Sequence, residues 1–387
     1  MKTRHYIVAT LLAGSMVAWA QQFDPGSDGS FGDFVSKPGP NVVALPSDGV
    51  LRCRTFTVQG GHVVEFSPNK ANTPVWIVAT GDIVVEGLIN VSGRRAETGS
   101  PSGGLPGPGG FRGGNARTDG QQGGAGHGPG GGMGYAGPAN SFDGSQAVAA
   151  GCGGYRVRFV NDRTDRNGAP YGSPTLIPLT GGSGGGGGWE MPGGGGGGAI
   201  LLASATRVVV AGEIRAEGGP GGESNGGSGG SIRLVAPTVT GGGVLSVFSQ
   251  NALSPGRIRL DAYNASVGAF DTRGVPPAVG SLMVTGLNLA GAPRLSVVQL
   301  GTMALVAGES GVVSVTLPPG SNPSQNLVVE AANFGRKVPV TVGLIPDHGP
   351  RVNVLAEIDN TLGGVTRATV PVAFPLNVTT RVAVWTR

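Results

Sequence analysis

The chain has 387 residues, 75 of them glycine and 29 proline, with 39% hydrophobic residues and 27 basic against 23 acidic side chains. That much glycine points to low complexity, yet the hydrophobic share is too high for a chain disordered throughout, so the glycine must be concentrated in part of it. Charges near balance and arginines scattered without interleaved aromatics leave no footprint for nucleic acid or an anionic membrane.

The chain opens with Lys2 and Arg4, an apolar run from Ile7 to Leu12, and Ala18-Trp19-Ala20 before Gln21. This pattern predicts a secretory signal peptide over 1–20, because a short apolar core followed by small residues suits signal cleavage. A membrane-spanning helix needs about 20 apolar residues, and neither this run nor any later one reaches that. The expected location is therefore secreted, whether periplasmic, cell-surface or extracellular, with no transmembrane segment. Residues 21–48 read as an extended or capping segment. Cys53 and Cys152 would then meet an oxidising compartment where pairing is the default, closing a loop of about 100 residues. Two separate buried thiols are the alternative.

An internal repeat begins next: a glycine, an alternating apolar and polar stretch, and a small residue six positions on. Copies run Gly87 to Gly93, Gly212 to Gly218, Gly243 to Ser249 and Gly268 to Gly274, with a looser one from Gly61. Upstream of these copies lie β-rich segments at Val75 to Ala79, Ala199 to Ala203, Ser231 to Ala236 and Arg257 to Ala262. Runs of β-branched residues bounded by glycine read as strands. A period of about 25 to 31 residues suits one coil of a parallel β-solenoid, in which each coil buries its inward side chains on the next. The solenoid is expected over 49–96 and 199–284.

Between its two parts lies a glycine-rich insertion, 97–198. Glycine recurs there every third residue, at Gly104, Gly107, Gly110 and Gly113, at Gly128, Gly131, Gly134 and Gly137, and at Gly182, Gly185 and Gly188. An extended left-handed helix has three residues per turn, so this period makes one bare face that can pack against a neighbour, and a polyglycine-II-type bundle is the ordered reading. A flexible glycine linker is the competing one. Against the linker stand Trp189, Tyr135, Tyr155, Phe111 and Phe142. From 285 to 387 glycine thins and about seven short alternating strands appear, the count of an immunoglobulin-like β-sandwich. The fold class expected is thus all-β: an interrupted parallel β-solenoid followed by a sandwich.

The stretches Phe23-Asp-Pro-Gly-Ser-Asp-Gly-Ser-Phe31, Leu45-Pro-Ser-Asp-Gly-Val50 and Asn72-Thr-Pro-Val-Trp-Ile-Val-Ala-Thr-Gly-Asp-Ile83, together with the glycine tract, resemble an uncharacterised group of secreted glycine-rich β-solenoid-like proteins of environmental bacteria. The resemblance covers about 23–284 and implies export and a shared architecture. It carries no activity, ligand or catalytic residue.

For chemistry, a nucleophilic triad needs a base beside its nucleophile. After the leader only His62, His127 and His348 remain, none with a G-x-S-x-G elbow. Glu213 and Glu217 could share one coil, and a glycosidase would need its two carboxylates about 5 to 10 Å apart; a solvated outer face explains them as well. Aromatic contacts for a ligand are sought at Trp76, Trp189 and Tyr155, with a place in the core the favoured account of Trp76. Asp24, Asp28 and Asp33, and Asp162 with Asp165, lie among turn-forming residues that could offer oxygens to Ca2+, the one cofactor considered. Asp in turns is the simpler account. The sequence thus favours a secreted structural, cell-surface or extracellular-matrix protein with an adhesive role and no catalysis. Extracellular polysaccharide, surface proteins and further copies of itself are the partners considered; the alternative is a carbohydrate-binding or carbohydrate-active β-solenoid protein.

Overall fold

The structure, a computed structural model, describes residues 23–97, 99–118, 122–136, 150–160, 165–222, 225–249, 254–282, 293–347 and 349–386; the expected leader lies outside the described residues. The architecture is all-β with large parallel sheets, and helix among the described residues is confined to two 3₁₀ turns at Val267–Ala269 and Glu309–Gly311. No helix among them is long and apolar enough to cross a membrane.

The first strands are β1 (Gly32–Val35), β2 (Pro40–Ala44), a long β3 (Val50–Val58) and β4 (Val63–Ser67). A three-strand pattern then recurs as β5 (Val75–Ala79), β6 (Ile83–Val85) and β7 (Leu88–Asn90), as β8 (Ala199–Ser204), β9 (Arg207–Val210) and β10 (Glu213–Arg215), and as β11 (Ser231–Val235), β12 (Thr238–Thr240) and β13 (Val244–Ser246). It closes with β14 (Arg257–Asp261), β15 (Asn264–Ala265) and β16 (Ala278–Gly280).

All pairings in this part are parallel and fall in three rows. Row A runs β3-β5-β8-β11-β14-β16, row B runs β1-β3-β6-β9-β12-β15, and row C runs β2-β4-β7-β10-β13. Strand β3 belongs to two rows because Val50–Cys53 pair with β5 while Phe56–Val58 pair with β6, so the eleven-stranded sheet bends there. Register stacks like on like: Leu51, Ile77, Leu202, Leu234 and Leu260 in row A, Phe34, Phe56, Ile83, Val208 and Val239 in row B, and Val64, Ile89, Ile214 and Leu245 in row C. The inward side chains of all three rows meet in one buried cluster. Each buried Leu, Ile or Phe there contributes about 1.5–3 kcal/mol. A one-residue slip would turn every ladder outward, which is what pins the register.

Rows A and C follow the repeat expected from the sequence, whereas row B was not expected, its strands being only two to four residues long beyond β3. The copy expected at Gly268 to Gly274 is no strand. It holds the 3₁₀ turn and a single bridge, Val244 to Asp271, and it turns Phe270 and Val275 over the end of the core, where no further rung exists to pair with.

Among the described residues of the glycine tract there is no named strand, yet many backbone N–H groups are bonded to carbonyls of neighbouring segments. From Gly181 to Gly188 the N–H groups serve three neighbours in rotation. Gly182, Gly185 and Gly188 donate to the carbonyls of Gly197, Gly194 and Met191; Gly184 and Gly187 donate to His127 and Gly124; Gly186 donates to Gly151. Segment 193–198 repeats the scheme, with Gly193 and Gly196 donating to Gly114 and Phe111, Gly194 and Gly197 to Asn225 and Ser228, and Gly195 and Gly198 to Arg94 and Val91. A three-residue rotation is what a backbone with three residues per turn presents to three partners. The approach leaves no room for a side chain: a Cβ on Gly181 would lie 2.6 Å from the Gly197 oxygen and 2.7 Å from the Gly109 oxygen.

The last part has two antiparallel sheets. One contains β17 (Arg294–Leu300), β18 (Met303–Ala304), β20 (Ser324–Ala332) and β23 (Val365–Ala373); the other contains β19 (Val313–Val315), β21 (Lys337–Pro346), β22 (Val352–Asp359) and β24 (Thr380–Thr386). Leu327, Val329, Val340, Val342, Val370 and Val382 share a buried cluster contributed by both sheets. Pro371 is accommodated because β23 lies at a sheet edge.

These parts are packed together on the outer face of row A. Val50, Val78, Leu201, Ala203 and Val235 are covered by Tyr155, Tyr171, Leu176 and Leu179 of the insertion and by Ile345, Ala383 and Trp385 of the C-terminal sheets. Strand β8 is accordingly buried along its whole length, which explains its unbroken apolar run. Arg381 donates to the Ala125 carbonyl (3.1 Å), meets His127 Nε2 (3.0 Å) and pairs with Asp347 (3.0 Å), while Arg351 donates to the carbonyls of Pro129 and Gly131. Further along row A, Arg233 and Arg259 replace the apolar positions and both pair with buried Asp261, at 2.8 and 2.7 Å.

Candidate functional site

Row C turns a polar face outward. With Ile89, Ile214 and Leu245 inside, alternation puts Asn90, Arg215 and Ser246 outside and in register. The repeat makes this legible as columns. Its second position holds Leu88, Glu213 and Val244, its fourth holds Asn90, Arg215 and Ser246, and its sixth holds Ser92, Glu217 and Phe248, whereas the last copy is shifted by two residues, with Asp271 opposite Val244. Glu213, Arg215, Glu217, Phe248 and Arg273 line a depression of about 520 Å³. Arg215 pairs with Glu213 at 2.7 Å, and that hydrogen bond raises the guanidinium pKa above its ordinary value. Glu217 accepts from the Ser246 hydroxyl, and Arg273 is half exposed beside Asp271 at 3.6 Å. Phe248 is 39% exposed, an apolar platform amid planar charged groups. Glu213 and Glu217 both line this depression. Phe248, Arg215 and Arg273 become neighbours only through the pairing of strands distant along the chain.

A second cluster lies in the insertion. The Arg117 guanidinium sits 4.3 Å from the Trp189 ring centroid and 5.5 Å from that of Tyr135, and the two rings meet edge to face at 5.6 Å. Beside them is a depression of about 340 Å³ lined by Gly99, Ser100, Pro101, Ala116, Arg117, Thr118 and Glu190.

The other expected ligand residues are packing groups. Trp76 is half-buried against the cluster outside row A. Tyr155 is fully buried, its hydroxyl donating to the Thr180 carbonyl at 3.0 Å, and burial pushes that hydroxyl up to about 12. Asp24 and Asp28 accept from the N–H groups of Gly26 and Ser30 two residues on, the turn role that short acidic side chains favour. Asp33 is held by Arg54 at 2.8 Å and Thr55 at 2.9 Å. Asp162 and His348 lie outside the described residues, and Asp165 opens the turn that leads to Arg166. Among the described residues no three His, Cys, Asp or Glu side chains group as metal ligands.

The expected disulfide is not formed. Cys53 faces the core within the row A register, opposite Ala79, and burial pushes its thiol up to about 12. Cys152 is buried in the glycine tract, where its N–H donates to Asn167 Oδ1 at 2.9 Å. His62 Nδ1 meets the Ser36 hydroxyl at 2.9 Å.

Comparison with family models, curated proteins and solved structures finds no match to this chain.

Proposed function

We propose that this chain is an exported structural protein with an adhesive role, in which a parallel β-solenoid and a polyglycine-II-type bundle form a stiff body that carries an immunoglobulin-like sandwich. The three in-register rows support the solenoid reading, and the three-residue rotation of hydrogen bonds supports the bundle. The observation that carries the functional reading is the continuity of burial from row A through Tyr171 to Trp385, rings 6.5 Å apart, reinforced by Arg351 and Arg381 on tract carbonyls. Such continuity suits transmission of force between a contact surface and an anchor rather than hinged motion. Beads coated with the purified chain should be retained on the producing cells under flow. Retention no greater than that of albumin-coated beads would remove the proposal.

A second reading is carbohydrate binding on row C, favoured by the depression that Glu217, Phe248 and Arg273 line together. Planar charged side chains around one exposed ring suit a sugar, whose hydroxyls pair with carboxylate and guanidinium while its C–H face covers the aromatic. Phe248→Ala should abolish retention on a polysaccharide matrix while leaving thermal unfolding unchanged; unaltered retention would dismiss this groove.

A further inference from the structure

The registers of the glycine tract run its segments toward one common end. Arg94, Gly104, Gly114, Gly124, Tyr135 and Gly219 all lie level with Gly187 to Gly195, as shown by the bonds Gly195 to Arg94, Gly104 to Gly193, Gly193 to Gly114, Gly187 to Gly124, Tyr135 to Gly187 and Gly219 to Gly195. The chain therefore leaves the tract at this end after Arg94, Gly114, Tyr135, Gly188 and Gly219, and returns at Gly103, Gly123, Ala150, Gly193 and Asn225. At the opposite end segments 193–198 and 225–230 pass directly into β8 and β11, while 103–114 and 123–135 turn back through the bonds Gly110 to Gly107 and Gly131 to Gly128.

Within the tract, close backbone approach excludes side chains at the bonded glycines. Gly110 is one case, where a Cβ would stand 2.6 Å from the Gly197 oxygen and 2.8 Å from the Gly196 oxygen. At this end the exposed side chains are carried by the turns. There the aromatic pair Tyr135 and Trp189 flanks Arg117, Glu190 is exposed, Met191 is 49% exposed, and the depression of about 340 Å³ opens beside them. That volume lies near the lower limit of small-ligand sites, about 300–1,000 Å³.

We infer that this end of the glycine tract is the recognition surface of the protein, and that the depression between Ser100, Arg117, Thr118 and Glu190 takes one pyranose residue of an extracellular polysaccharide. Two hydroxyls and a carboxylate offer donors and acceptors around a depression whose lining also includes Pro101, Ala116 and the buried Arg117, a mixture that matches the hydroxyl rim and C–H face of a sugar ring. Arg117 is buried against the two rings, so this wall of the depression is in place before a ligand arrives. The inference rests on the adhesive reading above and places the contact at the far end of the insertion, away from the β24 residues Ala383 and Trp385 that are buried on row A.

Affinity electrophoresis of the full chain through gels containing dextran, soluble cellulose, chitosan or alginate tests it. At least one polymer should retard the wild type, and Glu190→Gln and Trp189→Ala should each weaken that retardation tenfold or more with an unchanged unfolding transition. Glu190 is exposed, so its variant keeps the test valid if Trp189→Ala disturbs folding. Retardation by no polymer, retardation unchanged in Glu190→Gln, or retardation lost only in Phe248→Ala would each overturn the inference. Bead adhesion to cells that persists when no polymer retards the chain would discard the sugar site and leave the adhesive role standing.

Discussion

Gly196→Ala measures how far the glycine tract depends on bare backbone. A Cβ at Gly196 would fall well inside 3.0 Å of the Gly182 carbonyl, and its other close neighbours are also backbone, the Gly182 carbonyl carbon and the Ser183 nitrogen. No side chain can rotate away, so the segments must separate. Two bonds stand in the way, Gly196 N–H to the Phe111 carbonyl and Gly182 N–H to the Gly197 carbonyl, both 2.8 Å. Leaving buried groups of this kind poorly paired costs about 1–3 kcal/mol each, so a loss of about 4 kcal/mol is expected. Gly268 supplies the control, because nothing lies within 4 Å of a Cβ there and its φ is not positive. Alanine at that position should be neutral or should stabilise by about 0.4–1 kcal/mol through the unfolded state. Urea unfolding, read as midpoints at constant slope, compares the two. If Gly196→Ala lies within about 1 kcal/mol of Gly268→Ala, the tract is not the interlocked body described above.

Three further outcomes follow from buried polar groups. Burial, with Arg381 and Arg112 adding repulsion, pushes His127 down to about 3, so between that value and the ordinary value near 6.5 the unfolded chain binds the proton and the native one does not. Stability from this group is full above about pH 6.5 and falls as pH drops toward 3, by up to about 4–5 kcal/mol. His127→Gln should flatten the pH dependence of urea midpoints in that window, and an unchanged profile would contradict the assignment. Asp261→Asn leaves Arg233 and Arg259 without their buried counter-charge and should cost about 3–5 kcal/mol; adding Arg233→Leu, which extends the outward Leu201 position in register, should recover part of it in thermal melts. Cys53, raised to about 12 by burial, should resist a thiol reagent at pH 8 until the chain is unfolded, and mass mapping without reductant should find no Cys53–Cys152 peptide.

Much of rows A and C was readable because their repeat keeps glycine at fixed places around an apolar core. Val75 to Ala79, Ser231 to Val235 and Arg257 to Asp261 are strands where expected. Row B was not readable: Ile83–Val85 and Thr238–Thr240 are three residues long, too short for alternation to register as a period. Tyr155 and Trp76 looked like ligand contacts because an aromatic residue near glycine has no visible partner in one dimension; their partners, Thr180 and the row A cluster, are distant along the chain. The pairing of Cys53 with Cys152 failed for a related reason. Compartment argues for oxidation, but only the register opposite Ala79 shows that Cys53 faces the core.

Glycine at every third position already implied a backbone that could meet neighbours without side chains, and alternation within each repeat already implied which residues face inward. Local stereochemistry and burial act on single residues and near neighbours, so a linear chain records them. The direction of each glycine segment, the end at which the turns carrying Arg117 and Trp189 collect, and the face of row A on which Trp385 settles were decided only when distant segments exchanged hydrogen bonds and buried apolar surface. Those contacts depend on which backbones come to lie side by side, and glycine, identical at every position, carries no mark of its partner.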